Sequence, residues 1–240
     1  HHVSERAAGR LLEREVTVLS GILADPGRPL VAVVGGAKVT DKLGVLERFL
    51  ELADAILIGG AMCFPFFEAQ GHDVGASLCE AEGVDAARRT LADAESSDCE
   101  LILPVDLVIG DRFAADAEHR VIDGVDVPDG WMGLDIGPAT AERYAATIAA
   151  AGTVFWNGPM GAFELEPFAA GTRAVAEAIV ASPATTVVGG GDSAAALVKF
   201  GLEEGVTHLS TGGGATLEMI EGRPMPALTV LEADQTTGAQ

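Results

Sequence analysis

Two lysines four residues apart, Lys38 and Lys42, follow a glycine pair in the stretch PLVAVVGGAKVTDKLGVLERFLELA, residues 29–53. The whole chain has only three lysines, the third being Lys199, against twelve arginines, so the pairing stands out. A spacing of four places both ammonium groups on one helical face. The first turn of a helix is already electropositive, so two cations beside its free N–H groups and a glycine turn suit a bound anion. The plain alternative is a helix start with two solvated lysines. Lys199 falls in the exposed second half of a later helix.

A second set of residues has the same chemistry. In GGGDS, residues 189–193, Gly189, Gly190 and Gly191 let backbone approach a pyrophosphate closely, and the helix that follows offers its N–H groups. Asp192 and Ser193 supply hard oxygens for a phosphate-bound Mg²⁺, although either also serves as a simple N-cap. Asn157 and Glu164 flank the loop NGPMGAFE, which reads equally well as a structural turn with a solvated glutamate. Met132, Gly133 and Leu134 make either a slot for a flat aromatic base or plain core. His72, His119 and His208 are scattered, and no Ser/His/Asp or metal set assembles from them. No G-x-x-x-x-G-K-[ST] occurs, which excludes a Walker loop. The first turn, GGAKVTDK, is not G-x-G-x-x-G, and Gly59-Gly60 ends the second strand where a ribose-binding acid would stand. That argues against a nicotinamide dehydrogenase.

The elements that must position these residues recur as strand, glycine turn, helix. Strands are expected at 30–34, 55–58, 100–110 with Pro104 at a bulge or edge, 153–156, 185–188 and 208–211. Helices are expected at 7–23, from about Lys38 through the stripe Val39, Leu43, Leu46 and Leu50, at 83–95, from Thr140 as N-cap to about 151, from Pro167, to about Phe200, and at 215–221. Residues 111–130 read as a polar loop with a short hairpin, and Trp131 and Trp156 as core-edge packing. This order gives an α/β fold, a Rossmann-like parallel sheet with helices on both faces. Every glycine turn then lies at the carboxyl ends of the strands, so those at Gly35-Gly36, Gly59-Gly60, Asn157-Gly158, 189–191 and 212–214 line one rim, where ligands bind in such sheets. The helix 7–23 carries two apolar stripes, which implies contact on two sides.

At 240 residues the chain suits one large domain or two small ones. Its net charge of −21 excludes nucleic acid or an anionic membrane surface as partner. The apolar runs are far too short to span a bilayer, the start carries no signal-peptide core, and Cys63, Cys79 and Cys99 are an odd number without metal-ligand spacing. A soluble, cytoplasmic protein with reduced thiols is the expectation.

With GGAKVTDK, WMGLDIGP, WNGPMGAFE, GGGDSAAA and STGGGATLE in register from about Ala8 to Leu231, the chain resembles phosphoglycerate kinases. The resemblance is to their carboxyl-terminal, nucleotide-binding domain together with the helix that joins their two domains. It implies a single nucleotide-binding domain over 25–231, an inter-domain helix within 1–24, and a tail at 232–240. It also implies transfer of a phosphoryl group between 1,3-bisphosphoglycerate and Mg-ADP, giving 3-phosphoglycerate and Mg-ATP. Lys38 would reach the phosphoryl group in flight, with Gly191 and Gly214 beside it as catalytic glycines. Lys42, Gly36, Asn157, Pro159, Gly189, Gly190, Asp192, Ser193, Gly212 and Gly213 would surround the phosphates, with Asp192 on Mg²⁺. Gly59, Gly60, Phe113, Gly133 and Leu134 would border the adenine, and Glu164 would accept from the ribose hydroxyls. The family's other domain, with its basic patch for the phosphoglycerate, has no counterpart in the sequence. Two functions therefore stand as expectations, a kinase of this family present as its nucleotide part, and an ADP/ATP-binding fragment without catalysis.

Overall fold

Short apolar runs bounded by glycine turns form the strands of this chain, and amphipathic stretches between them form the helices. The computed structural model describes residues 7–237; residues 1–6 of the expected inter-domain segment, and 238–240 of the expected tail, lie outside it. In order the elements are α1 (Arg10–Ala24), β1 (Leu30–Val34), α2 (Leu43–Leu52), β2 (Ala55–Ile58), α3 (Phe64–Gln70), α4 (Ala81–Glu95), β3 (Glu100–Ile102), β4 (Asp106–Gly110) and β5 (His119–Asp123). There follow β6 (Met132–Ile136), α5 (Pro138–Ala149), β7 (Thr153–Asn157), α6 (Ala170–Ala181), β8 (Thr185–Gly189), α7 (Gly191–Phe200), β9 (His208–Leu209), α8 (Gly214–Ile220) and α9 (Pro226–Thr237).

Six strands make a parallel sheet in the order β3-β2-β1-β7-β8-β9. Alternate residues of β1 feed opposite cores. Leu30, Ala32 and Val34 pack with Phe49, Phe155 and Ile220 on one face, and Val31 and Val33 with Tyr144, Trp156 and Leu197 on the other. Helices therefore cover both faces, and strands buried on both sides read as unbroken apolar runs. The strand order reverses direction between β1 and β7. That switch point opens a crevice at the carboxyl ends of its two central strands.

Several expectations are corrected. Residues 100–110 form two strands in two sheets, because the chain leaves the parallel sheet at Leu103-Pro104. β4 then pairs antiparallel with β5 and β6 in a separate sheet of three strands, which the single-sheet reading did not contain. Thr140 is not the cap of α5; Gly137 holds that position. Asp106, 34 residues upstream of Thr140, accepts from the N–H groups of Ala139 (2.9 Å) and Thr140 (2.8 Å) and from the Thr140 hydroxyl (2.6 Å), so the helix start is capped from β4. Trp156 is wholly buried and donates from its indole N–H to the Gly158 carbonyl at 2.7 Å, whereas Trp131 is partly exposed. Pro167 lies in a one-turn 3₁₀ segment, and α6 begins only at Ala170. The segment after Met225 is helical, although no repeating pattern marked it.

In α1 both expected stripes pass from exposed to buried along the helix. Leu19 and Ile22 are buried while Leu11 and Leu12 are exposed. Between them Glu15 is buried among donors: Ser210 Oγ at 2.7 Å, the Thr211 N–H at 2.8 Å and Thr211 Oγ1 at 3.0 Å, with His208 Nε2 at 3.1 Å. Burial alone would raise its pKa, but these donors together hold it below the ordinary 4.5. A carboxyl whose folded pKa is depressed contributes stability that is complete above its unfolded pKa and is lost as pH falls through the folded value. At neutral pH, Glu15→Gln should therefore lower unfolding stability by about 1–3 kcal/mol. The deficit relative to wild type should shrink as pH falls below 4.5. Urea unfolding near neutrality and near pH 3.5 checks this, and an equal deficit at both would contradict it.

Candidate functional site

Five strand ends meet at the rim of the parallel sheet, and the switch-point pair supplies the centre. The β1 turn and the β7 turn lock together: the Gly35 N–H donates to the Asn157 carbonyl (2.9 Å) and the Gly36 N–H to Pro159 (3.0 Å). Only glycine permits this approach at Gly158, where φ is +93° and a Cβ would lie 2.3 Å from the Gly35 oxygen. The β2 turn joins them, with the Gly60 N–H donating to the Met160 carbonyl at 2.9 Å.

Lys42 occupies the middle of this junction. Its ammonium donates to the Asn157 carbonyl at 3.0 Å and to the Asn157 carboxamide oxygen, while the carboxamide nitrogen donates to Gly189 at 2.8 Å. Burial brings the Lys42 pKa down to about 8, opposed by the carboxylates of Asp192 and Asp41. The expected shared face of Lys38 and Lys42 is not present, because α2 begins at Leu43 and Lys42 stands at its N-cap after a 3₁₀ turn. Lys42 points inward, and the exposed Lys38 lies 3.0 Å from Glu80. That hydrogen bond raises the Lys38 pKa.

A polar cavity of about 320 Å³ opens over these groups, lined by Gly36, Lys38, Lys42, Asn157, Gly190, Gly191, Asp192 and Ser193 among others. Its floor is the start of α7, whose first N–H groups have no partner within the helix. The buried Ser193 hydroxyl accepts from the Gly158 N–H at 2.6 Å, so it holds the β7 turn against α7. Gly36, Ala37 and Asp192 also line a second, mainly apolar cavity of about 620 Å³. Its walls include Gly60, Ala61, Met132, Gly133, Leu134, Pro159 and Glu164, with the exposed Phe113 and Leu78 at its mouth. An apolar slot opening into a polar end that holds Lys42 and the start of α7 is the result.

The structure thus brings Gly36, Lys38, Lys42, Gly60, Phe113, Gly133, Leu134, Asn157, Pro159, Glu164, Gly190, Gly191, Asp192 and Ser193 around one contiguous space. It does not put Gly59, Gly189 or the turn 212–214 on that lining. A Cβ at Gly59 would meet Met160, and one at Gly189 would meet Thr216, so both glycines back the site. Gly212, Gly213 and Gly214 lie beyond β9 at the neighbouring strand end. Sequence reading missed the loop 76–79, which lines the apolar slot without periodic pattern. Its Ser77 hydroxyl accepts from the Gly133 N–H at 2.9 Å, and the Cys79 thiol donates to Glu68. Burial and the Glu68 carboxylate push the Cys79 pKa up to about 12, which leaves an inert thiol in the slot wall. On β6 itself, burial pushes the Asp135 pKa up to about 8 against two N–H donors, Gly171 and Ile136. Lys199 is not a free surface lysine, since its ammonium donates to the Phe163 and Glu164 carbonyls.

The sequence profile described as phosphoglycerate kinase matches residues 1–223. A phosphoglycerate kinase of Chloroflexus aurantiacus is 53% identical over 234 residues, spanning 96% of this chain and 58% of that protein. One from Rubrobacter xylanophilus is also 53% identical, over 232 residues, 95% of this chain and 58% of that protein. The structure of phosphoglycerate kinase from Coxiella burnetii superposes with a TM-score of 0.91 at 45% identity, covering 94% of this chain and 58% of that one. The chain therefore spans a little over half the length of these relatives.

The buried amine of Lys42 carries a pH signature. An anion in the polar cavity favours its charged form, so binding takes up a proton once the free amine begins to titrate near 8. Affinity for inorganic pyrophosphate, relative to Lys42→Ala, should fall by up to about tenfold per pH unit as pH rises above that value, the limit for one coupled proton. Calorimetry from pH 7 to 9.5 reads this directly; parallel profiles for the two proteins would remove Lys42 from the anion site.

Proposed function

The chain belongs to the phosphoglycerate kinase family, and from that premise we propose that it supplies the nucleotide half of a reversible phosphoryl transfer. In the forward direction 1,3-bisphosphoglycerate gives its acyl phosphoryl group to Mg-ADP, yielding 3-phosphoglycerate and Mg-ATP. The observation that carries the reading is the joined pair of cavities, an apolar slot of base size meeting a polar end that holds Lys42, Asn157 and the start of α7.

In this reading the base lies between the Gly60–Ala61 and Gly133–Leu134 walls, with Phe113 at the mouth. The Glu164 carboxylate accepts from the ribose hydroxyls. The phosphates meet Lys42, Asn157 and the N–H groups of Gly190 to Ser193. Lys38, released from Glu80, follows the transferring group, and the turn 212–214 bounds the side facing the second substrate. Phosphoryl transfer asks for in-line positioning and neutralised oxygens more than for covalent chemistry, and two lysines with a helix start provide both. Asp192 fits a Mg²⁺ role, being a carboxylate that faces both cavities. Among the described residues no three His, Cys, Asp or Glu side chains form a metal cage. Mg²⁺ commonly rests on one carboxylate, water and the substrate's own phosphates. Held there by Asp192, Mg²⁺ would supply positive charge that neutralises the phosphate oxygens.

Within the segment 1–24, α1 is the candidate inter-domain helix, with 25–231 as the nucleotide-binding domain and 232–240 as a tail whose boundary falls inside α9. A cytoplasmic location with ADP or ATP as partner belongs to the same proposal; the net charge of −21 argues against nucleic acid or an anionic membrane surface, and among the described residues no helix is long and apolar enough to cross a membrane. Among the described residues no arginine lines either cavity. The cations present match one set of nucleotide phosphates, so the phosphoglycerate needs a further basic surface.

Mg²⁺ should tighten ADP binding to wild type and should have little effect on Asp192→Ala. Calorimetric titration with and without chelator tests that, and an unchanged Mg²⁺ dependence would remove Asp192 from the site. In a coupled assay the purified 240-residue chain should show no measurable turnover of 3-phosphoglycerate with Mg-ATP. Turnover at an ordinary kinase rate of about 1–100 per second would mean that this chain carries the second basic surface itself.

A further inference from the structure

Two of the chain's three lysines, Lys38 and Lys42, line the cleft, and the third touches the backbone of a residue that lines it. The third, Lys199, sits in the last turn of α7 and donates to the carbonyl oxygens of Phe163 (2.6 Å) and Glu164 (3.3 Å), with the Glu166 carboxylate at 3.9 Å. Glu164 lies on an irregular loop between β7 and α6, and among the described residues its carboxylate has no hydrogen-bond partner. With no side-chain partner to anchor it, the reach of that carboxylate depends on where the backbone beneath it places its Cα. The backbone on the near side is held by the Leu165 N–H to Ala162 (2.9 Å), the Phe163 N–H to Gly161 (2.8 Å) and the Ala162 N–H to Leu134 of β6 (2.7 Å). Lys199 adds a tie from Phe163 and Glu164 themselves to a second rigid element.

That element is the helix whose first turn floors the polar cavity. Asp192 and Lys199 are seven residues apart on it, or about 10 Å at 1.5 Å per residue. Resting on the nucleotide reading above, we propose that Lys199 is a positioning residue for ribose recognition. It fixes Glu164 at a set distance from the phosphate-binding start of α7, so that one nucleoside diphosphate engages both ends at once. The loop has a second, apolar support. The Phe163 and Phe200 rings meet edge-on at 6.4 Å between centroids, and the Arg173 guanidinium lies 4.3 Å from the Phe200 centroid. Loss of the ammonium should thus loosen the Glu164 backbone without unfolding the region.

The test compares Mg-ADP with Mg-2′,3′-dideoxy-ADP, which lacks the hydroxyls that Glu164 would bind. Wild type should prefer Mg-ADP. Lys199→Met should weaken Mg-ADP roughly three- to tenfold, the scale of one or two hydrogen bonds, and the dideoxy nucleotide less than about twofold. Adding Lys199→Met to Glu164→Ala should cost little more. Equal weakening of both nucleotides, or a preference left intact in Lys199→Met, overturns this inference while leaving the nucleotide reading in place. No preference in wild type overturns it through Glu164. Failure of wild type to bind either nucleotide removes the inference and the nucleotide reading together. Should Lys199→Met not fold, Lys199→Leu, which likewise removes the donors and keeps an apolar stem, is read in the same titrations against the same outcomes.

Discussion

The ammonium of Lys42 is held inside the cleft by Asn157, and the rest of the site depends on that contact. Asn157 ends β7 and uses each of its polar groups: its carbonyl accepts from Gly35 and Lys42, its carboxamide oxygen from Lys42, and its carboxamide nitrogen donates to Gly189. One residue therefore couples the ends of β1, β7 and β8 to the start of α2. Gly158 then fastens the same turn to Ser193 of α7. A buried cation with two good acceptors but no carboxylate in contact retains unspent positive charge, which is what an incoming anion requires.

Topology decides where this coupling can occur. The strand order reverses between β1 and β7, so the connections leaving them run to opposite sides and leave a crevice between. The small antiparallel sheet, inserted in the chain between β3 and β7, adds the apolar half. β6 places Met132, Gly133 and Leu134 opposite the β2 turn, and a Cβ at Gly133 would lie 2.2 Å from the Phe64 ring. The slot thus lies between the two sheets, whereas the polar end belongs to the parallel sheet alone. Tyr144 of α5 bonds the β2 carbonyl of Ile58 (2.6 Å) and the β3 carbonyl of Ile102 (3.0 Å), and Asp106 anchors β4 to that helix.

Much of this was legible in the sequence because it rests on local signals. Apolar runs ending in glycine gave the buried parallel strands, and the scarcity of lysine pointed to the cleft. What escaped notice depends on distant partners. Nothing near Thr140 shows that Asp106 caps α5. The apolar residues on both sides of Pro104 hid a change of sheet. Lys42 turns inward because Asn157, 115 residues away, accepts its protons, and Lys199 looked solvated because its acceptors are backbone carbonyls, which carry no side-chain signature. The turn 212–214 shows the converse. A glycine triplet at a strand end resembles the one at 189–191, yet it lies one strand further from the switch point, and neither cavity reaches it.

The central claim is that one nucleotide spans both cavities, with its phosphates on Lys42 and the start of α7. A crystal structure of the chain with Mg-ADP tests it most directly. The account predicts the base in the slot between Gly60–Ala61 and Gly133–Leu134, and phosphate oxygens within hydrogen-bond distance of Lys42 and the N–H groups at the start of α7. A nucleotide seated elsewhere, for instance in the separate polar cavity lined by Arg48, Glu221 and Arg223, would contradict it.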